Sequence, residues 1–250
     1  MEKEGVANSL SDLEKAAIED LRRPTESILN QLKPEIDSGT YGVIIGDDAT
    51  GRLPAFLLWK TLGIVFEKRG RQRPLLRFIA GSTRLRREPR EYDSKKEILE
   101  HHLGQMKHEM NSREASNQQK ALIVTDTIDT GESVRMLMNG IYAHNWSADI
   151  ATIGFLGSAE LEHEFKSKIA VGSTKLPKLY VYGRNLSGVS KDKSKLFSSL
   201  RRESPYMVSL EKSLDPNFVS KIYNHKVRDA RKLIDALAQE LAEKFLQTGK

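Results

Sequence analysis

The sequence predicts an α/β fold in which a mainly parallel, twisted sheet is flanked by helices. Short apolar runs of strand length alternate with stretches that have helical periodicity. Turns rich in glycine, hydroxyl or charged residues follow most of these runs. Because parallel strands need crossover connections, the alternation favours helices on both faces of the sheet.

Two helical segments precede the first predicted strand. Ser11 followed by Glu14 forms a capping box at the start of the first helix. Pro24 fits the first turn of a second, short helix that ends near Pro34. Residues 1–40 are therefore expected to form a helical hood or a packing element for the core.

The predicted core covers residues 41–185. Its strands are predicted at residues 41–45, 75–80, 121–124, 150–156 and 179–182, and its helices at residues 53–62, 94–110, 134–141 and 159–169. Residues 84–119 form a polar insertion far longer than the roughly 2–6 residues usual for such connections. The helix inside this insertion has a narrow apolar stripe, which predicts weak docking, with a second subunit as one possible partner.

A basic, serine-rich loop and a strong amphipathic helix follow the core in residues 186–250. The helix is predicted over residues 217–247. Its expected apolar side comprises Val219, Ile222, Ala230, Leu233, Leu237, Leu241 and Phe245.

Composition narrows the function classes. The 250 residues contain no cysteine, which excludes disulfides, thiolate zinc sites and a thiol nucleophile and agrees with a reducing, cytoplasmic location. The formal net charge of +6 suits an anionic ligand. No apolar run approaches the length of a membrane span, and the first residues lack an apolar signal core, so neither membrane association nor export is expected.

The most informative segment runs from residue 121 to residue 133. Four apolar residues are followed by an acidic, hydroxyl-rich turn and then by a helical pattern. The turn amides and the helix start favour a phosphate, and the hydroxyls of Thr130 and Ser133 add donors. Asp126 and Asp129 would repel that phosphate, so they are expected to serve sugar hydroxyls, Mg²⁺ or a proton in transit.

This segment resembles the phosphoribosyl pyrophosphate (PRPP) loop of the type I phosphoribosyltransferases. The resemblance implies that fold, with PRPP and Mg²⁺ bound at the loop. It implies ribose contact by Asp126, which is also a metal ligand, and a base-facing or proton-handling role for Asp129. The implied PRPP-binding residues are Thr125, Asp126, Thr127, Asp129, Thr130, Gly131, Glu132 and Ser133. Thr125 departs from the pattern, because the family carries its first acid at that place.

The turn after the first predicted strand resembles the family's pyrophosphate loop through Thr50, Gly51 and Arg52. Asp47 and Asp48 are then candidate Mg²⁺ ligands, since Mg²⁺ prefers hard oxygen donors. The glycine spacing also matches a P-loop, but the required Lys and Ser/Thr are missing, which excludes an ATPase. A plain turn with Asp-capped amides is the alternative.

Two further groups follow predicted strands. The resemblance implies that Arg84 and Arg87 belong to a mobile loop that closes over pyrophosphate as part of catalysis. A solvated or nucleic-acid-facing stretch is an equal alternative. Tyr182 and Arg184 are candidates for base contact, with a simple strand-end turn as the alternative.

Two other chemistries are disfavoured. Haloacid-dehalogenase phosphatases need Asp-x-Asp directly after the strand, whereas two residues separate Asp126 from Asp129. The adjacent His101 and His102 point to different faces of a helix, which argues against a shared metal.

The sequence thus predicts a homodimeric phosphoribosyltransferase that transfers ribose 5-phosphate from PRPP to a nitrogenous base and releases pyrophosphate. The same enzyme could run in reverse and cleave a nucleotide with pyrophosphate. Asp129 favours a 6-oxopurine as the base. However, enzymes for such bases present a lysine after the next strand, and that lysine is missing here. The second hypothesis is a PRPP- or nucleotide-binding regulator without turnover, with RNA contact as an option. A hydrolase of the same fold, or a transferase with a larger acceptor, is the third.

Overall fold

The computed structural model describes residues 12–47, 51–79, 89–113, 120–165, 167–173 and 225–248. The strands in these residues are β1 (Tyr41–Asp47), β2 (Leu75–Ile79), β3 (Lys120–Ile128), β4 (Ser147–Phe155) and β5 (Ile169–Ser173). The helices are α1 (Asp12–Glu19), α2 (Arg22–Gln31), α3 (Lys33–Ser38), α4 (Arg52–Lys68), α5 (Pro89–Ser112), α6 (Glu132–Ala143), α7 (Ala159–Glu164) and α8 (His225–Gln247).

The five strands form one sheet in the order β2-β1-β3-β4-β5, and every neighbouring pair is parallel. The predicted α/β class with a mainly parallel sheet is therefore confirmed. The chain leaves β1 toward β2 on one side and leaves β3 toward β4 on the other. In open α/β sheets this reversal marks the crevice where ligands bind, outside the carboxyl ends of the strands.

Each face of the sheet carries its own apolar core. Leu122 and Val124 of β3 belong to the core shared with α2, α4 and α8, whereas Ile123 belongs to the core shared with α5 and α6. This division follows from the alternation of side chains along a strand. β1 is buried on both faces, as expected for a central parallel strand.

Helix α5, the insertion helix, docks firmly on its own chain. Its buried residues are Leu99, Leu103, Met106 and Met110, all at helical spacing. The buried guanidinium of Arg77 on β2 donates to both carboxylate oxygens of Glu109 on α5, at 2.8 and 2.6 Å. The expected apolar stripe ran through Ile98, His102, Met106 and Met110. Its two methionines are buried, but Leu99 and Leu103 complete the stripe and His102 is only half-buried, so the expectation of weak docking was wrong.

The terminal helices lie along the face of the sheet that carries α4. Ser27 of α2 donates to the carbonyl of Val171 in β5, at 3.1 Å. Lys60 of α4 pairs with Asp235 of α8 at 2.9 Å. The described part of the N-terminal segment is therefore a packing layer on this face.

Several boundaries differ from the sequence prediction. The helix predicted to reach residue 169 ends at Glu164, and Ile169 instead begins β5. The second predicted helix ends at Gln31, near Pro34 as predicted, but Pro34 also lies in the first turn of a third helix, α3, which the sequence did not predict. On α8, Leu233 is exposed and Ile234 takes the buried position. The predicted strand at 179–182 and the basic loop lie outside the described residues, as do residues 217–224.

None of the described helices combines the length and the apolarity needed to cross a lipid bilayer.

Candidate functional site at the switch point of the sheet

Gly51, the residue that precedes α4, packs directly against β3. The amide of Gly51 donates to the carbonyl of Asp47, at 3.0 Å. A Cβ at Gly51 would lie 2.3 Å from that oxygen and 2.7 Å from the carbonyl oxygen of Val124, so only glycine fits here. The structure thus brings the Gly51 turn directly beside the end of β3.

Arg52 begins α4 at the same edge of the sheet. It is 3% exposed, and its guanidinium lies 5.1 Å from the ring centroid of Phe78 in β2. Pro54 fits the first turn of the helix, where no amide donor is needed. A buried cation and a helix N-terminus therefore flank the β1 side of the site.

The end of β3 carries the acidic residue of the motif in a buried position. Thr125 is 2% exposed and Asp126 is 5% exposed. Oδ1 of Asp126 accepts a hydrogen bond from the amide of Thr127 at 2.8 Å, and the hydroxyl of Thr125 makes a longer contact of 3.5 Å with it. These local contacts fix the orientation of the carboxylate.

Strand alternation divides the side chains of this end between the two faces. Asp126 shares a face with Val124, which is the face that carries α4 and the Gly51 turn. Thr125 and Thr127 share the opposite face. The hydroxyl of Thr127 is buried and has no hydrogen-bond partner among the described residues.

The motif turn ends in a glycine with a left-handed backbone. Asp129 and Thr130 are exposed, and Gly131 has φ = 71°. A Cβ at Gly131 would also lie 2.8 Å from the side chain of Leu161, so both conformation and space require glycine. Gly131 caps α6 without a side-chain hydrogen bond, and the first amides of a helix have no intrahelical acceptor. This is the geometry of a helix start that can bind an anion.

Helix α7 and the residue after it pack against Gly131, in the turn that leads into α6. Leu161 and Phe165 pack where a Cβ of Gly131 would lie. Arg135 of α6 donates two hydrogen bonds to Glu164 of α7, one of them at 2.8 Å. This interaction raises the pKa of the Arg135 guanidinium and lowers the pKa of the Glu164 carboxyl.

The end of β4 adds a residue that the sequence analysis did not single out. Leu156 is 44% exposed, and its amide donates to the carbonyl of Ile128 at 2.8 Å. A Cβ at Gly157 would lie 3.3 Å from the carbonyl oxygen of Asp129. The available signal was position, because Leu156 ends an apolar run at the carboxyl end of a strand beside the motif.

The described residues do not form a preassembled cage for a metal ion. No group of three or more His, Asp or Glu side chains gathers at ligand spacing in the described ranges. Mg²⁺, however, is usually held by one or two carboxylates together with substrate phosphates. Asp126 and Asp47, at the ends of adjacent strands, fit that smaller donor set, while Asp48 lies outside the described residues.

Several predicted site residues belong to segments that the structure does not describe. Thr50, Arg84, Arg87, Tyr182 and Arg184 lie outside the described residues. The residues that the structure does bring to the switch point come from the end of β1, the start of α4, the end of β3, and the turn and helix start that follow β3: Asp47, Gly51, Arg52, Thr125, Asp126, Thr127, Asp129, Thr130, Gly131, Glu132 and Ser133.

Comparison of the chain with protein-family models and with curated proteins finds no match.

Proposed function

We propose that the protein is a phosphoribosyltransferase that binds PRPP with Mg²⁺ at the β1–β3 switch point. One observation carries the proposal. A glycine turn that opens a helix, a buried carboxylate and a buried arginine meet at the carboxyl edge of a parallel sheet. These groups match the three parts of PRPP, which are a phosphate, a diol and a pyrophosphate.

The 5′-phosphate binds at the start of α6. The left-handed Gly131 leaves the first amides of the helix facing the turn, and the helix dipole favours an anion there. Thr130 and Ser133 supply hydroxyl donors. Glu132, in the first turn, opposes a phosphate electrostatically, so the amides and hydroxyls must outweigh it.

The ribose hydroxyls bind to Asp126. An ionised carboxylate accepts hydrogen bonds only, which suits two adjacent hydroxyl donors. The amide of Thr127 already holds one oxygen of this carboxylate, so its orientation is set before the ligand arrives. Such preorganisation lowers the entropy lost on binding.

The pyrophosphate binds on the β1 side. The Gly51 turn, Arg52 and the N-terminus of α4 provide the positive potential. Asp126 and Asp47 would hold Mg²⁺ on this side, and the ion would neutralise part of the charge of the leaving pyrophosphate.

The chemical step is a substitution at C1′ of the ribose. The C1′–O bond to pyrophosphate breaks, and pyrophosphate leaves with the electron pair while a nitrogen of the base forms the C1′–N bond. Asp129, which is exposed at the motif turn, accepts the proton that this nitrogen loses. The protein contributes mainly positioning and charge neutralisation.

One observation favours binding without turnover as the second candidate. Thr125 stands where the resembled family carries its first acid, and it is 2% exposed with its hydroxyl turned toward Asp126. The β3 end therefore offers the ribose one carboxylate instead of two. Binding of the ribose by one carboxylate is weaker, and it is sufficient for a regulator that binds PRPP without converting it.

Ligand-dependent unfolding tests the proposal. PRPP with Mg²⁺ at one hundred times its Kd should stabilise the protein by about 2.7 kcal/mol. Ribose 5-phosphate and pyrophosphate, added separately, serve as controls and should each stabilise it less. The absence of any shift with millimolar PRPP and Mg²⁺ would refute the proposed function.

A second assay separates the two candidates. The protein is incubated with PRPP, Mg²⁺ and a panel of nitrogenous bases, and released pyrophosphate is measured. Release with any base identifies the transferase. Stabilisation by PRPP without release identifies the regulator.

A further inference from the structure

We infer that the acceptor is an uncharged nitrogenous base, and that Leu156 and Asp129 together exclude acceptors that carry a carboxylate. This inference rests on the proposed function and deepens it. It concerns the side of the site formed by the ends of β3 and β4.

The direction of attack places the acceptor on the β4 side. In a substitution at C1′, the incoming nitrogen and the departing oxygen lie on opposite faces of the carbon. The leaving pyrophosphate lies on the β1 side, next to Arg52 and the Gly51 turn. β4 neighbours β3 on the side away from β1, so the acceptor approaches over the end of β4.

An exposed apolar side chain, that of Leu156, lies at this end on an ordered backbone. The Leu156 side chain is 44% exposed, an unusual fraction for a large aliphatic residue in this protein. Its amide is tied to the carbonyl of Ile128 at 2.8 Å, so the side chain is presented from an ordered backbone. Close packing of Gly157 against the carbonyl of Asp129 joins the β4 end to the motif turn. A flat heterocycle can lie against Leu156 while Asp129 stands beside it.

Among the residues that the structure describes at the ends of β3 and β4, the charge is of one sign. The charged residues between 125 and 133 are Asp126, Asp129 and Glu132, and residues 155–158 carry no charge. Arg135, one turn into α6, is engaged by two hydrogen bonds to Glu164. A carboxylate on the acceptor would meet like charge and an apolar wall, whereas an N–H group finds an acceptor in Asp129.

Mononucleotides in matched pairs test this inference without any need for turnover. Nicotinamide and nicotinate mononucleotides differ by an amide against a carboxylate, and uridine and orotidine 5′-monophosphates differ by one added carboxylate. Calorimetry should give at least tenfold tighter binding of the member without the carboxylate in each pair. Because the phosphate is common to both members, the ratio reports only on the base side.

A positive charge placed at Leu156 provides a second test. In Leu156→Lys the ratio of affinities that favours the mononucleotide without the carboxylate should fall at least fivefold. Leu233→Lys is the matched control, because Leu233 is 37% exposed on α8 and this substitution adds the same charge away from the site. The preference should also narrow as salt rises, since screening weakens interactions between exposed charges.

The outcomes separate the inference from the proposed function. Equal affinity within both pairs, or tighter binding of the carboxylated members, overturns the inference. Binding of PRPP without binding of any mononucleotide overturns it as well. If neither PRPP nor any mononucleotide binds, the proposed function itself has failed. The comparison of pairs on the unmodified protein stays decisive even if Leu156→Lys does not fold.

Discussion

The two ends of the central strands carry polar clusters that are organised in opposite ways. At the amino end, Asp149 of β4 accepts a hydrogen bond from the hydroxyl of Tyr41 at 2.8 Å and contacts Nζ of Lys120 at 3.2 Å from each oxygen. At the carboxyl end, Asp129 is exposed, and the buried hydroxyl of Thr127 has no hydrogen-bond partner among the described residues.

The contrast supports the proposal that the polar groups at the amino end hold the fold and those at the carboxyl end serve a ligand. Burial, together with the charge of Asp149 and its hydrogen bond, raises the pKa of Tyr41, which therefore remains a donor at all working pH values. The amino-end cluster is complete within the protein, so its loss should affect stability alone. In the proposed site Asp126 holds the ribose hydroxyls and Asp129 faces the base, so loss of these side chains should affect binding or turnover.

The largest expected effect is at the amino end. Asp149→Ala leaves the buried hydroxyl of Tyr41 without its acceptor and removes an ion pair with Lys120, whose side chain is 34% exposed. An unsatisfied buried donor costs about 1–3 kcal/mol and a partly exposed ion pair at most about 1 kcal/mol, so the protein should lose about 1–4 kcal/mol of stability. Denaturant unfolding measures this change. PRPP affinity of the folded fraction should stay within about twofold. Tyr41→Phe, which removes one hydrogen bond, should cost about 1–3 kcal/mol. A large loss of PRPP affinity in Asp149→Ala would break the division between the two ends.

The next effect is at the carboxyl end. Asp126→Asn replaces a charged acceptor for the ribose hydroxyls and should weaken PRPP binding about 10–100-fold, the equivalent of about 1.4–2.8 kcal/mol. Asp129→Asn should leave PRPP affinity within about threefold and lower turnover instead. Calorimetry and pyrophosphate release measure the two quantities. Equal losses of binding and of turnover in both variants would remove the proposed division of roles.

A smaller effect of opposite sign is expected at Thr127. Thr127→Val removes a buried hydroxyl that lacks a hydrogen-bond partner, and it should stabilise the ligand-free protein by about 1 kcal/mol. Thr61→Val is the control, because the buried hydroxyl of Thr61 donates to the carbonyl of Leu57 at 2.9 Å. That variant should destabilise the protein. Destabilisation by both variants, measured in urea, would mean that Thr127 already has a partner, such as a bound water.

The smallest effect concerns pH and the docking of α5. Burial and the neighbouring charge of His101 lower the pKa of His102. Because the folded pKa lies below the unfolded value of about 6.5, the unfolded chain takes up the proton first as pH falls. Stability should therefore decline below about pH 6.5, by less than about 1 kcal/mol, since solvent screens a half-exposed group. His102→Gln should reduce this decline between pH 7.5 and 5.5, and an unchanged slope in urea titrations would contradict the assignment.

Local signals in the sequence predicted the part of the site that is built from consecutive residues. The apolar run, Gly131 and the helical pattern after it specify β3, the turn and α6, because strand burial, a left-handed backbone and a helix start each depend on near neighbours. The end of the strand was predicted too early, because β3 continues through Asp126 to Ile128, where a turn was expected. The alternation of such units also predicted the α/β class. The terminal strand β5 was missed because its five residues follow a short helix without a strong boundary signal.

Tertiary structure alone decided which distant residues meet. The close approach of Gly51 to the carbonyl of Val124, the pairing of Arg77 with Glu109 and the exposure of Leu156 all depend on strand order and register. Those contacts join residues that lie tens of positions apart, and local periodicity carries no information on them. The sequence by itself thus determined the elements of this protein and the chemistry of its acidic turn. The packing of the sheet determined that the turn faces a buried arginine on one side and an apolar surface on the other, because parallel strands bring all their carboxyl ends to one edge.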